Sequence, residues 1–215
     1  MKLDPFYLIV DDMMWLQRLL PVGVKLVQLR IKDRPAEEIR EQVVTAKSLC
    51  ARAGACLIVN DYWRIALDEG CDFVHLGQSD LDEADVPALQ RAGVRIGIST
   101  HSHEELERAL KFSPDYVALG PIYPTTLKVM PWAPQGLERI AEWKRRIAPT
   151  PLVAIGGLTV ERLPNVFKAG ADSAAVVSDV IRHATPEMRA CEWISATRDA
   201  TAAGSASAIV AKLPA

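Results

Sequence analysis

The chain offers no metal knuckle, no long apolar run and no excess of charge of either sign. Cys50, Cys56, Cys71 and Cys191 are widely spaced, with no C-x-x-C pair and no Cys/His cluster. That excludes the usual structural zinc patterns and fits reduced thiols in a cytosolic compartment. His75, His101, His103 and His183 likewise show no metal-ligand spacing and read as structural, or as supports behind site residues. The first apolar run, Phe6 to Val10, meets two acids at once, too early for a signal-peptide core and far too early for a membrane span. With 25 Lys and Arg against 27 Asp and Glu, the formal charge is -2, so nothing global draws the chain to nucleic acid or to an anionic membrane. The expectation is a soluble cytoplasmic protein whose charge chemistry is local.

A sequence of 215 residues with 49% hydrophobic residues can bury a substantial core and suits one domain. No fixed-period repeat and no composition shift appear before about residue 200. Residues 1–200 therefore read as a single domain. The small-residue-rich tail, 201–215, has the composition of a segment prone to disorder.

Eight short apolar, β-branched runs are candidate strands: Phe6 to Val10, Lys25 to Leu29, Cys56 to Val59, Asp72 to Leu76, Arg95 to Ile98, Asp115 to Leu119, Leu152 to Ile155 and Ser173 to Val177. Helical spacing lies between them. In Pro35 to Arg52, Ile39, Val43, Ala46 and Leu49 recur at three- and four-residue steps, and Pro35 suits a first helical turn. His103 to Lys111 behaves similarly. Continuous apolar strands alternating with helices predict an α/β protein with a parallel sheet, and eight such units predict a compact (β/α)8 TIM barrel. An open doubly wound sheet is the alternative.

Polar residues fall where strands end. Gln28, Arg30 and Lys32 alternate with Leu29 and Ile31, which in an extended chain puts two cations and an amide on one face. That face suits a phosphate-bearing ligand, although a surface ion pair with Asp33 would give the same pattern. Asn60 with Asp61, and Gln78 with Asp80, follow the next two strands. Asp61 and Asp80 could share one Mg2+ completed by substrate phosphate and water, or each could merely cap a helix, near Trp63 and Asp82. Ser99 ends the fifth strand. Thr125, Thr126 and Lys128 lie in a proline-rich loop, 120–136, that reads as a stiffened oxyanion loop or simply as a connection. Gly156 and Gly157, then Val177 and Ser178, end the last two strands, where this fold often holds phosphate on backbone N–H groups.

Taken together, VQLRIKD, VNDYWRIA, VHLGQSDL, GISTH, YVALGPIYPT, MPWAPQGL, VAIGG and AVVSD resemble the thiamine phosphate synthase family, in the family's order from about Tyr7 to Ile181. The resemblance implies a transferase of thiamine biosynthesis. It would join 4-amino-2-methyl-5-(diphosphooxymethyl)pyrimidine to a thiazole phosphate, giving thiamine phosphate and diphosphate. It further implies that Gln28, Leu29, Arg30, Ile31, Lys32 and Asn60 hold the pyrimidine diphosphate, with Ser99 and Lys128. Asp61 and Asp80 would bind Mg2+. Thr125, Thr126, Leu127, Gly157, Val177 and Ser178 would hold the thiazole phosphate. Arg30, Lys32, Ser99 and Lys128 are the expected catalytic set. The implied partners are these small molecules, with neither nucleic acid nor membrane, and homo-oligomerisation is left open. Leu127 departs from the family's usual P-T-x-T-K, removing one hydroxyl. Two rival readings are a thiazole tautomerase on the same barrel, which would want a His where Gly120 and Pro121 stand, and a non-catalytic phosphate-ligand sensor.

Overall fold

The computed structural model describes residues 2–125 and 132–210, with side chains through residue 202. Strands and helices alternate in chain order: β1 (Phe6–Val10), α1 (Met14–Leu19), β2 (Leu26–Leu29), α2 (Ala36–Ala53), β3 (Cys56–Asn60), α3 (Trp63–Asp68), β4 (Phe73–Leu76) and α4 (Val86–Arg91). The second half continues with β5 (Arg95–Thr100), α5 (His103–Leu110), β6 (Tyr116–Leu119), α6 (Gly136–Ile147), β7 (Leu152–Ile155), α7 (Leu163–Lys168), β8 (Ser173–Val176), α8 (Ser178–Ile181) and α9 (Pro186–Val210). All strand pairs are parallel and follow sequence order. β1 pairs with β8 through Phe6 and Ala174, so the sheet closes into a (β/α)8 barrel and the open-sheet alternative falls away.

Each strand is buried on both sides, and its two-residue alternation divides the core in two. One set, including Phe6, Leu8, Val27, Leu29, Ile31, Val59, Ile96, Ile98, Val117 and Leu119, packs with helix residues such as Ile39, Val43, Leu106, Ile140 and Trp143. The other set fills the barrel: Tyr7, Ile9, Leu26, Ile58, Phe73, Tyr116, Ala118, Val153 and Ala175. Polar atoms in the outer layer are satisfied locally. The Thr100 hydroxyl accepts from Trp143 Nε1 at 2.9 Å and donates to the Ala118 carbonyl at 3.0 Å.

Helix ends follow local chemistry. Pro35 stands one position outside α2 as its N-cap, with ψ 147°, rather than within the first turn. Glu37 and Glu38 follow in that turn, where the helix dipole favours acids, and Gly54 closes the helix in the left-handed region at φ 59°. The Ser102 hydroxyl caps α5 by accepting from Glu105 N. The backbone of α9 stays helical from Pro186 to Val210, through the first part of the small-residue tail. No described helix is long and apolar enough to cross a membrane. All four cysteines are free.

Candidate active site

The carboxyl ends of the strands surround one cavity of about 1130 Å³. Gln28, Arg30, Lys32, Asn60, Asp61, Asp80, Ser99, Thr125, Gly157, Val177 and Ser178 all border it, so residues scattered over 150 positions become neighbours. Leu29 and Ile31 are buried in the outer core instead, which leaves only their backbone to serve a ligand. Thr126, Leu127 and Lys128 lie outside the described residues.

On the β2 to β4 side the site is charged. Lys32 Nζ donates to Asp61 Oδ2, while the Arg30 guanidinium has no carboxylate partner among the described residues. Asp61 sits at φ 62°, a left-handed conformation that Asp and Asn tolerate better than most residues. Its N–H donates to the His75 carbonyl at 2.9 Å, and the Trp63 N–H returns to the Asp61 carbonyl at 2.8 Å, so the chain folds back tightly as it leaves β3. Neither acid acts as a helix cap. Tyr62, not Asp61, precedes α3, and no side chain caps that helix. Asp80 opens a short 3-10 turn and accepts from the Gly77 N–H at 2.8 Å. Burial, and then the neighbouring Asp61 carboxylate, raise the Asp80 carboxyl above its ordinary range. Two acids this close resist full ionisation unless a cation joins them.

The β6 to β8 side is shaped by backbone. Gly156 and Gly157 have φ 97° and 64°, and a Cβ on Gly157 would lie 2.5 Å from the Pro124 carbonyl oxygen. The two loops are tied by Ile122 N to Ile155 O (2.9 Å) and Tyr123 N to Gly156 O (3.0 Å). Arg162 donates to the Gly157 carbonyl and lies 4.3 Å from the Tyr123 ring centre. After β8, Asp179 accepts from Trp193 Nε1 at 2.7 Å and from Arg189 Nε at 2.9 Å, anchoring the Val177–Ser178 turn to α9.

Between these sides lies a largely apolar floor of Ile9, Ala118, Val153, Ile155 and Ala175. Tyr7 and His75 also border the cavity; sequence reasoning passed over Tyr7 and gave His75 a structural or supporting role. The available signal was alternation: His75 follows Phe73 by two positions and so shares its inward face. Burial pushes the His75 imidazole down from 6.5 to about 4, with Asp61 opposing weakly, and pushes both the Tyr7 and Tyr116 phenols up. The unfolded chain takes a proton at His75 below pH 6.5, whereas the folded chain does so only near 4. Stability should therefore fall as pH drops through that window, by up to about 1.4 kcal/mol per pH unit. Urea unfolding from pH 7 to 4.5 should show a shallower pH slope in His75→Gln than in the wild type. Parallel slopes would mean that His75 is not buried as the neutral base.

A closed (β/α)8 barrel with cations and paired acids on one side of its mouth, and glycine-ended strands on the other, has the architecture of a barrel enzyme with its site at the carboxyl ends of the strands. Residues 6–180 match the family model described as thiamine monophosphate synthase. A thiamine-phosphate synthase of Rhizobium etli is 62% identical over 197 residues, 92% of this chain and 97% of that protein. One from Salmonella choleraesuis is 46% identical over 191 residues, 89% and 87% of the two chains. The solved thiamine phosphate pyrophosphorylase of Pyrococcus furiosus superposes with a TM-score of 0.80 at 28% identity, over 92% of this chain and 96% of that one. This chain belongs to the thiamine monophosphate synthase family.

Proposed function

We propose that this protein is a transferase that condenses 4-amino-2-methyl-5-(diphosphooxymethyl)pyrimidine with a thiazole phosphate, yielding thiamine phosphate and diphosphate. The observation that carries this reading is one cavity lined by Arg30 and Lys32 on one side and by Gly157, Val177 and Ser178 on another, with an apolar floor. Arg30 and Lys32 stand at one end, and the backbone turns at Gly157 and Val177–Ser178 at the other. Small floor residues, Ala118 and Ala175, leave room for a flat heteroaromatic ring between them.

Asp61 and Asp80 suit Mg2+. They are two carboxylates at one place, with Asp80 held above its ordinary range by burial and by Asp61. Among the described residues no cluster of three or more His, Cys, Asp or Glu stands ready to hold a metal, so this is a site to be completed by phosphate and water. When bound, Mg2+ would supply positive charge to the diphosphate oxygens.

The chain's own residues account for the rest. Arg30 can grip two phosphoryl oxygens in a fork, and Lys32, once drawn from Asp61, adds a compact charge as the C–O bond breaks. Both act where negative charge accumulates on the leaving group. Lys128 would join them. No protein nucleophile is needed. The aminopyrimidine supports a methyl cation, and the thiazole nitrogen, held from the Gly157 and Ser178 side, attacks it. The tautomerase reading loses its position, since a Cβ at Gly120 would lie 2.8 Å from the Ile155 carbonyl oxygen.

Incubating the purified protein with both substrates, with and without Mg2+, should give equal amounts of thiamine phosphate and diphosphate only when the metal is present. A covalent pyrimidine adduct on the protein that proceeds to product would overturn the dissociative route.

A further inference from the structure

At the base of the cavity runs a chain of hydrogen-bonded side chains from five strands. Gln28 Nε2 donates to the Tyr7 hydroxyl at 2.7 Å, and that hydroxyl meets the Tyr116 hydroxyl at 2.8 Å. Tyr116 meets His75 Nδ1 at 2.7 Å, and His75 Nε2 meets Ser99 Oγ at 2.8 Å. Gln28, Tyr7, His75 and Tyr116 are at most 7% exposed, and the His75 and Tyr116 rings stack at 5.6 Å and 14°.

The backbone makes room for this arrangement. Gly97 stands opposite Tyr116 in the β5–β6 register, and a Cβ there would lie 2.1 Å from Tyr116 Cζ and 2.6 Å from its hydroxyl. Gly97 has no positive φ, so Tyr116, and not a turn, explains the missing side chain.

One end of the chain sets the direction of every bond. An amide nitrogen only donates, so the Tyr7 oxygen accepts from Gln28 and its proton goes to Tyr116. Tyr116 then donates to His75 Nδ1. With Nδ1 accepting from Tyr116, the imidazole proton sits on Nε2 and goes to Ser99 Oγ. The Ser99 proton is left for the cavity. Running the chain backwards would aim the Tyr7 proton at an NH2 group and leave a buried donor unpaired, which is unfavourable.

We infer that Tyr116, which does not border the cavity, is a positioning residue: it holds His75 as the Nε2–H tautomer and thereby makes Ser99 a hydrogen-bond donor to diphosphate. Phosphoryl oxygens only accept, so a Ser99 that donated to His75 instead would present lone pairs to them. The ligand named here rests on the proposed function, whereas the tautomer does not.

Two measurements on the full chain separate these claims. In ligand-free protein labelled with 15N-histidine, long-range 1H–15N correlation should show His75 protonated at Nε2, its signals assigned by their loss in His75→Gln. An Nδ1–H form, or a mixture, would overturn the relay without any enzyme assay. Inorganic diphosphate with Mg2+ is the second probe, by calorimetry. Tyr116→Phe and Ser99→Ala should each weaken its binding about tenfold, and the double variant should be no worse than either single, because both remove one bond. Losses that multiply, or undiminished binding in Tyr116→Phe, would sink the positioning role. A merely structural effect of Tyr116 would add to that of Ser99.

Discussion

Asp61→Asn and Asp80→Asn should each lower turnover about a thousandfold, a loss near 4 kcal/mol of transition-state stabilisation, while the barrel stays folded. Asparagine is the informative replacement at both positions. At Asp61 it tolerates the φ of 62°, which alanine would strain, and at Asp80 it keeps an oxygen for the Gly77 N–H. What it removes is charge. Asp61→Asn also releases Lys32 from its ion pair, so inorganic diphosphate should bind that variant more tightly than the wild type when Mg2+ is absent. Diphosphate release and thermal melts read both effects. Full activity in the two variants would show that the paired acids hold no metal in the reaction.

The second large effect is expected from Gly157→Ala. The substitution meets a left-handed backbone and a carbonyl oxygen 2.5 Å from the new Cβ, with Tyr123 Cβ at 2.8 Å. Left-handed strain and overpacking together should cost about 3 kcal/mol, and so roughly 6–12 °C in melting temperature for a chain of this size. Because relief requires the 121–125 loop to move off β7, the Michaelis constant for thiazole phosphate should rise at least about tenfold, the scale of one lost phosphate hydrogen bond. Gly93→Ala is the matched control. It has φ 75° but nothing within 4 Å of the new Cβ, so it should lose only the backbone share. Equal melting temperatures for the two variants would show that the contact between the loops carries no energy.

Architecture was legible because burial on both faces makes every strand an apolar run, and because polar residues reappear where each strand leaves the core. Gln28, Arg30, Asp61 and Asp80 could be picked out on that ground alone. Other features have no local signal. His75 looks like one imidazole in an apolar strand until Tyr116, 41 residues later, and Ser99, 24 residues later, are placed against its two nitrogens. Gly97 looks like an unremarkable strand residue until the register sets it opposite a phenol ring. The left-handed turn at Asp61 depends on a hydrogen bond to the neighbouring strand, and the anchoring of Asp179 on a helix that begins seven residues later.

Closure of the barrel joins its first and last strands. Phe6 stacks on Trp193 with ring centres 5.6 Å apart, Ser173 Oγ donates to the Asp4 carbonyl at 2.8 Å, and β1 has β8 for a neighbour. A chain emerging from the ribosome amino end first therefore carries β1 without one strand partner until β8 is made, and without the indole that covers its outer face until α9 is made. The β1–β8 seam cannot form until β8 has cleared the exit tunnel, by which time seven parallel strands await it. Premature termination before β8 would yield an open sheet with a hydrophobic edge at each side, a species suited to aggregation or chaperone capture rather than to partial activity.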